Sequence, residues 1–131
     1  MSEYTLEYLQ AIRDLLDSAI GSKEIIIDIT NSLPKKRKEL DTLQERFDKL
    51  QIRIDKLEMN EPENPDTVKY ADWERRYENA QEKYDTLEEE ISDLEYEIDC
   101  MEEDLIYNSK HIKESLRMIG IEKEDIEEKG E

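Results

Sequence analysis

The chain has one cysteine, three glycines and three prolines in 131 residues, and no apolar run long enough to cross a membrane. Each scarcity excludes something. A lone Cys100 allows no internal disulfide and no cysteine-based zinc site. Few Gly and Pro leave little turn chemistry, so a fold with many short strands is excluded and a few long helices are favoured. There is no glycine-rich phosphate loop, no calcium-loop pattern of acids around a Gly, and a single histidine, His111, without the Glu three residues earlier that a bundle-type metal centre requires. No metal, no cofactor and no catalytic residue is expected. Nor is an N-terminal signal segment evident, which leads to the expectation of a soluble, cytoplasmic protein.

What the chain does have is charge. Asp and Glu number 37 against 19 Lys and Arg, a formal net charge of −18, and charged residues make up 43% of the sequence. Phosphate backbones and anionic membranes are bound through clustered cations, so direct nucleic-acid or membrane binding is not expected, and a protein partner with a basic surface is. The acids are unevenly spread. From Tyr84 to Ser109 there is no Lys or Arg, and like charges one helical turn apart, such as Asp99 and Glu103, cost a helix a few tenths of a kcal/mol, roughly.

The apolar residues carry the fold. Taken outward from the stretch around Glu63, they match in pairs: Leu57 with Tyr70, Ile54 with Trp73, Leu50 with Tyr77, Phe47 with Ala80, Leu43 with Tyr84, Leu40 with Leu87, Leu33 with Leu94, Ile29 with Ile98 and Ile26 with Met101. The two numbers of every pair sum to the same value. Each half steps by threes and fours, the heptad spacing of a seam that faces a partner helix, and the halves are in register only if the chain doubles back. The expected fold is all-α, a long antiparallel helical hairpin of coiled-coil type with one domain over 1–120: arm one 2–59, tip 60–67, arm two 68–119. Residues 121–131 are expected to be an acidic, frayed tail.

Arm one is expected to be interrupted. Gly21 and Ser22 weaken it, and Asn31, Ser32 and Pro34 together form a helix-start signature that predicts a break or kink with the heptad phase preserved. The β-branched run Ile25, Ile26, Ile27 and Ile29 has no partner strand and keeps that phase, so it is read as helix. At the turn, Asn60 ends the first arm and Asp66 or Thr67 caps the second; Gly120 ends arm two.

Beyond the seam, the end carrying both termini has additional apolar residues: Leu6, Leu9, Leu16, Ile20 and Ile27 on one arm, Ile106 and Leu116 with Tyr107 and Met118 on the other. A wider apolar stripe is buried on more than one side, which predicts a homodimer formed as a four-helix bundle from two hairpins. Partner-binding candidates are the outward residues of the acidic arm, Asp85, Glu89, Asp93, Asp99 and Glu103, with Tyr96 as an aromatic anchor among them. Cys100 is expected outward as a free thiol, and His111 on the flank of the seam. The seam aromatics Tyr70, Trp73, Tyr77 and Tyr84 are expected in the core.

The cluster Lys35-Lys36-Arg37-Lys38 is like a nuclear localisation signal, but the register sets it against Glu88, Glu89, Glu90 and Asp93, where opposite charges steer alignment. Lys36 is expected on the seam with its ammonium reaching outward. Function is therefore expected to be that of a non-catalytic acidic coiled-coil adaptor or inhibitor that self-associates and binds a protein. The alternative is a DNA or RNA mimic that inhibits a nucleic-acid-binding protein, as some phage counter-defence proteins do. The tip acids Glu61, Glu63 and Asp66 stand where transcript-cleavage factors carry theirs, a likeness of shape alone, since the globular docking domain of those factors is missing.

Overall fold

A computed structural model describes residues 5–120, and these form two long helices that pack against each other as a helical hairpin. Helix α1 spans Leu6–Met59 and α2 spans Val68–Ile119; among the described residues there is no strand. The start expected at Ser2 and the tail at 121–131 lie outside the described residues.

The helix ends are set by local chemistry. Thr5 caps α1, its Oγ1 accepting the Tyr8 N–H at 3.1 Å. At the other end Asn60 closes the last turn, its backbone N–H reaching the Lys56 carbonyl at 3.1 Å and its side-chain amide donating to the same oxygen at 2.8 Å. The backbone N–H of Asp66 is held by Asn64 Oδ1 at 3.0 Å, and Thr67 caps α2 by accepting the Tyr70 N–H at 3.2 Å. Of the two expected caps it is Thr67 that does the work. Gly120 terminates α2 with φ 93, donating to the carbonyls of Leu116 and Arg117 at 3.0 Å each. Only a residue without Cβ takes that left-handed conformation at little cost.

The expected interruption of arm one is not found. Helix α1 continues through Gly21, Ser22 and Pro34 without leaving the helical conformation. The seam explains this. Along α1 the residues withdrawn from solvent recur at alternating threes and fours on both sides of Pro34, among them Ile26, Ile29, Leu33, Lys36, Leu40 and Leu43. Pro34 follows a seam residue and faces outward, so its ring costs a backbone hydrogen bond but displaces no core side chain.

The chain divides into two compact units, and the division on α1 falls at Pro34. Unit 2, Lys35–Ile98, has a core of Leu50, Ile54 and Ala80, with Leu57, Tyr77, Tyr84 and Leu87 packed on it. Ile91, Leu94 and Ile98 are buried in the same unit, and full burial of a Leu or Ile contributes about 2 kcal/mol. Its aromatics stack: Trp73 on Tyr77 with centroids 5.1 Å apart, and Phe47 against Tyr84 at 4.6 Å. Tyr70, Trp73, Tyr77 and Tyr84, expected in the core, are half-buried, with Tyr77 and Tyr84 packed on its edge.

Unit 1, Met1–Pro34 with Asp99–Glu131, is built differently. Its buried positions include Ala19, Ser22, Asn108 and Ser115, small or polar residues on the seam itself. The Asn108 amide is satisfied within its own helix, donating to the Asp104 carbonyl at 2.8 Å. Ser18 Oγ and His111 Nε2 join the two helices on the flank at 2.5 Å.

Candidate interaction surfaces

The register of an antiparallel pair sorts its flanks. A two-fold axis normal to the plane of the two helices exchanges them and keeps each side on its own side. Residues that follow a seam position on either helix therefore share one face, and residues that precede one share the other.

In unit 1 the first face carries exposed apolar side chains, with Arg13, Lys23 and Lys113 among them. Leu9, Leu16, Ile20 and Ile27 each follow a seam residue of α1, Leu6 continues their stripe toward the N-terminus, and Ile106 and Leu116 follow seam residues of α2. Leu6 (70% exposed), Leu9, Leu16, Ile20, Ile27 and Ile106 are all exposed, and Leu116 is half-buried. Ile25, Tyr107 and Met118 add exposed apolar surface to the same unit, whereas unit 2 exposes Ile52, Met59, Val68 and Tyr96 singly along its helices. A concentration of exposed apolar residues on one face of one unit differs in meaning from scattered surface leucines.

On α2, every proposed acidic-arm residue is exposed: Asp85, Glu89, Asp93 and Tyr96 in unit 2, and Asp99 and Glu103 in unit 1. Tyr96, 73% exposed, rises one turn from Asp93 on the outer side of the helix. Cys100 is half-buried rather than outward. At the tip Glu61, Glu63 and Asp66 are exposed, and the Tyr70 hydroxyl donates to Glu61 Oε1 at 3.5 Å. The acid at the tip therefore also shapes the turn.

The basic cluster acts more narrowly than expected. Lys36 takes its seam position half-buried and its ammonium reaches Glu97 at 3.0 Å, beyond the stretch of acids around Glu88 to Asp93 that the register points to. The long lysine stem lets the charge move a turn along the helix to the better partner. That hydrogen bond, with the charge of Glu97, raises the Lys36 pKa above its ordinary value. Two tyrosines are shifted in the same sense. Burial, and then the charge of Glu61, raises Tyr70, and the hydrogen bond from the Tyr77 hydroxyl to Glu58 Oε1 at 3.0 Å raises Tyr77.

Reasoning from the sequence missed one feature. The second face of unit 2 holds a groove of about 540 Å³ lined by Arg46, Lys49, Arg53 and Lys83, with Leu50 and Leu87 at its floor. Lys49 joins Glu45 on its own helix at 3.4 Å; Arg46, Arg53 and Lys83 join no ion pair among the described residues. The signal was available, since Arg46, Arg53 and Lys83 each immediately precede a seam residue, but it emerges only when the register is applied to flanks as well as core.

Among the described residues no group of His, Cys, Asp and Glu is arranged to hold a metal ion, and no helix is long and apolar enough to cross a membrane. Comparison with known proteins finds no family model, no curated protein and no solved structure that matches this chain.

Proposed function

We propose that this chain is a non-catalytic interaction protein that self-associates through the apolar face of unit 1 and engages a basic protein surface through the acidic outer side of α2. The observation that carries the reading is the stripe of Leu6, Leu9, Leu16, Ile20 and Ile27 left exposed beside the seam. Unit 1 buries Ala19, Ser22, Asn108 and Ser115 on its seam beside Ile29 and Leu33. A helix pair that leaves further large apolar side chains outside its own seam is suited to packing against another pair, as in a four-helix bundle. Burying five such side chains yields on the order of 10 kcal/mol before the cost of association is subtracted.

The acidic side fits a basic protein partner better than it fits mimicry of nucleic acid. A mimic needs a continuous anionic surface, and in unit 2 Arg46, Lys49, Arg53 and Lys83 interrupt it on the second face. The two readings separate in a pull-down with the purified chain, run at low and high salt and with DNA or RNA as competitor. A partner held through a local patch centred on Tyr96 persists in the presence of nucleic acid and is lost when Glu89, Asp93, Tyr96 and Glu103 are made neutral and polar. Displacement of the retained protein by nucleic acid would instead select the mimic.

A further inference from the structure

The second face of unit 2 is charged in blocks. Arg46 on α1 and Lys83 on α2 each precede a seam residue and line the basic groove together. One heptad along, Glu39 and Glu90 stand in the same relation and line a neighbouring groove with Asp93 and with Glu97, which is paired there with Lys36. The two grooves share Arg46 and Glu90, so they are contiguous. Coil-flanking pairs ordinarily match opposite charges and thereby steer alignment. Here both pairs place like with like, which works against the hairpin's own pairing.

A face that sets a cationic block beside an anionic one is complementary to itself under a two-fold axis. We infer that a second copy of this chain docks on this face, the groove of Arg46, Lys49, Arg53 and Lys83 of one copy receiving the Glu39, Glu90, Asp93 and Glu97 block of the other, and the reverse. The inference rests on the reading that the acidic side of α2 seeks a basic surface, and it names that surface as the chain's own. Leucines floor both grooves, Leu50 and Leu87 in one and Leu43 and Leu94 in the other, so the docked faces bury apolar area between their charges. Nucleic acid fits less well, because a phosphate backbone following the basic groove runs directly onto Glu90 and Asp93.

The test is sedimentation velocity on the full chain carrying Leu9→Glu and Leu16→Glu, which removes the apolar stripe from the readout. At about 0.1 M salt, where distant repulsion between two acidic chains is screened, this protein is expected to form reversible dimers that dissociate at about 1 M. Adding Arg46→Glu with Arg53→Glu shifts the face toward acid, with Lys49 and Lys83 left in place, and adding Glu90→Lys with Asp93→Lys shifts it toward base, with Glu39 and Glu97 left in place. Each is expected to be monomeric alone, and their equimolar mixture to dimerise at least as well as the parent. These residues are exposed, and circular dichroism checks that each variant keeps its helix content. A monomeric parent at every concentration, a mass insensitive to the reversals, or a mixture that stays monomeric overturns the inference. Binding of a single-stranded oligonucleotide to the parent but not to Arg46→Glu with Arg53→Glu also overturns it, reassigning the groove to nucleic acid. None of these outcomes touches the apolar face, whose failure would be seen as an unchanged mass on introducing Leu9→Glu and Leu16→Glu alone.

Discussion

The Trp73 indole N–H donates to the carbonyl oxygen of Leu57 at 2.7 Å. Leu57 lies in the last turn of α1, where its carbonyl also accepts the Asn60 N–H at 3.2 Å, so one side chain of α2 adds a second, shorter bond to a main-chain acceptor of α1 beside the turn. The same indole stacks on Tyr77 and tilts against Tyr70, 5.4 Å away. The register of the hairpin is thus fixed next to its turn by a directional bond as well as by packing.

Replacing Trp73 with Phe keeps a ring in the layer and removes the donor. The expected loss is about 1 kcal/mol of unfolding free energy, from the bond alone, since the carbonyl keeps the Asn60 N–H. Chemical denaturation followed by circular dichroism measures it, and a loss within error would mean that water replaces the indole without cost.

Pro34 is the clearest place to stabilise the chain. It sits inside α1, so the Thr30 carbonyl lacks its main-chain donor, and an exposed proline in a helix interior typically costs up to about 3 kcal/mol relative to alanine. Pro34→Ala is expected to raise stability by about 1–3 kcal/mol and to introduce a protected amide at position 34, where proline has no N–H to exchange. A neutral or destabilising result would show that the helix is adapted to the ring.

Ser115 is 2% exposed, and its hydroxyl makes no side-chain hydrogen bond among the described residues. Ser115→Ala removes a buried polar group and adds helix propensity, so a gain of about 1 kcal/mol is expected in thermal or urea unfolding. Destabilisation would point to a role for the hydroxyl in the seam.

Alkaline pH is expected to weaken the fold. The pKa values of Tyr70, Tyr77 and Lys36 are all raised, so the folded state holds these protons more tightly than the unfolded chain does. Their contribution is complete below the unfolded values, near pH 10 for Tyr and slightly higher for Lys, and is lost as pH rises through the raised folded values. Tyrosinate absorbance read alongside ellipticity tests this. Tyr77→Phe removes one of the three contributions and should flatten the decline; an unchanged slope contradicts the assignment.

These relationships differ in how far the sequence anticipates them. Pairs such as Leu50 with Tyr77 and Phe47 with Ala80 are readable because heptad spacing leaves few ways to hide an apolar residue, and antiparallel matching tests every layer at once. Pro34 is misleading because its local preference is for a helix start, whereas the seam on either side holds the backbone helical at a cost the local signal does not include. The apolar stripe from Leu6 to Ile27 is visible as an excess of apolar residues. The polar seam beside it is visible only once Ser22, Asn108 and Ser115 are seen to be buried. Arg46, Lys49, Arg53 and Lys83 read individually as ordinary flanking cations, and their convergence depends on two helices meeting with like charges opposed.

The central claim is that unit 1 uses its exposed stripe for self-association, and the most direct measurement is molar mass by light scattering across a concentration series. With a chain mass of 15.7 kDa, the account predicts a dimer or larger species for the wild-type chain. With Leu9→Glu and Leu16→Glu introduced together, it predicts a fall in mass with helix content retained. An identical mass for the two proteins at every concentration would contradict it.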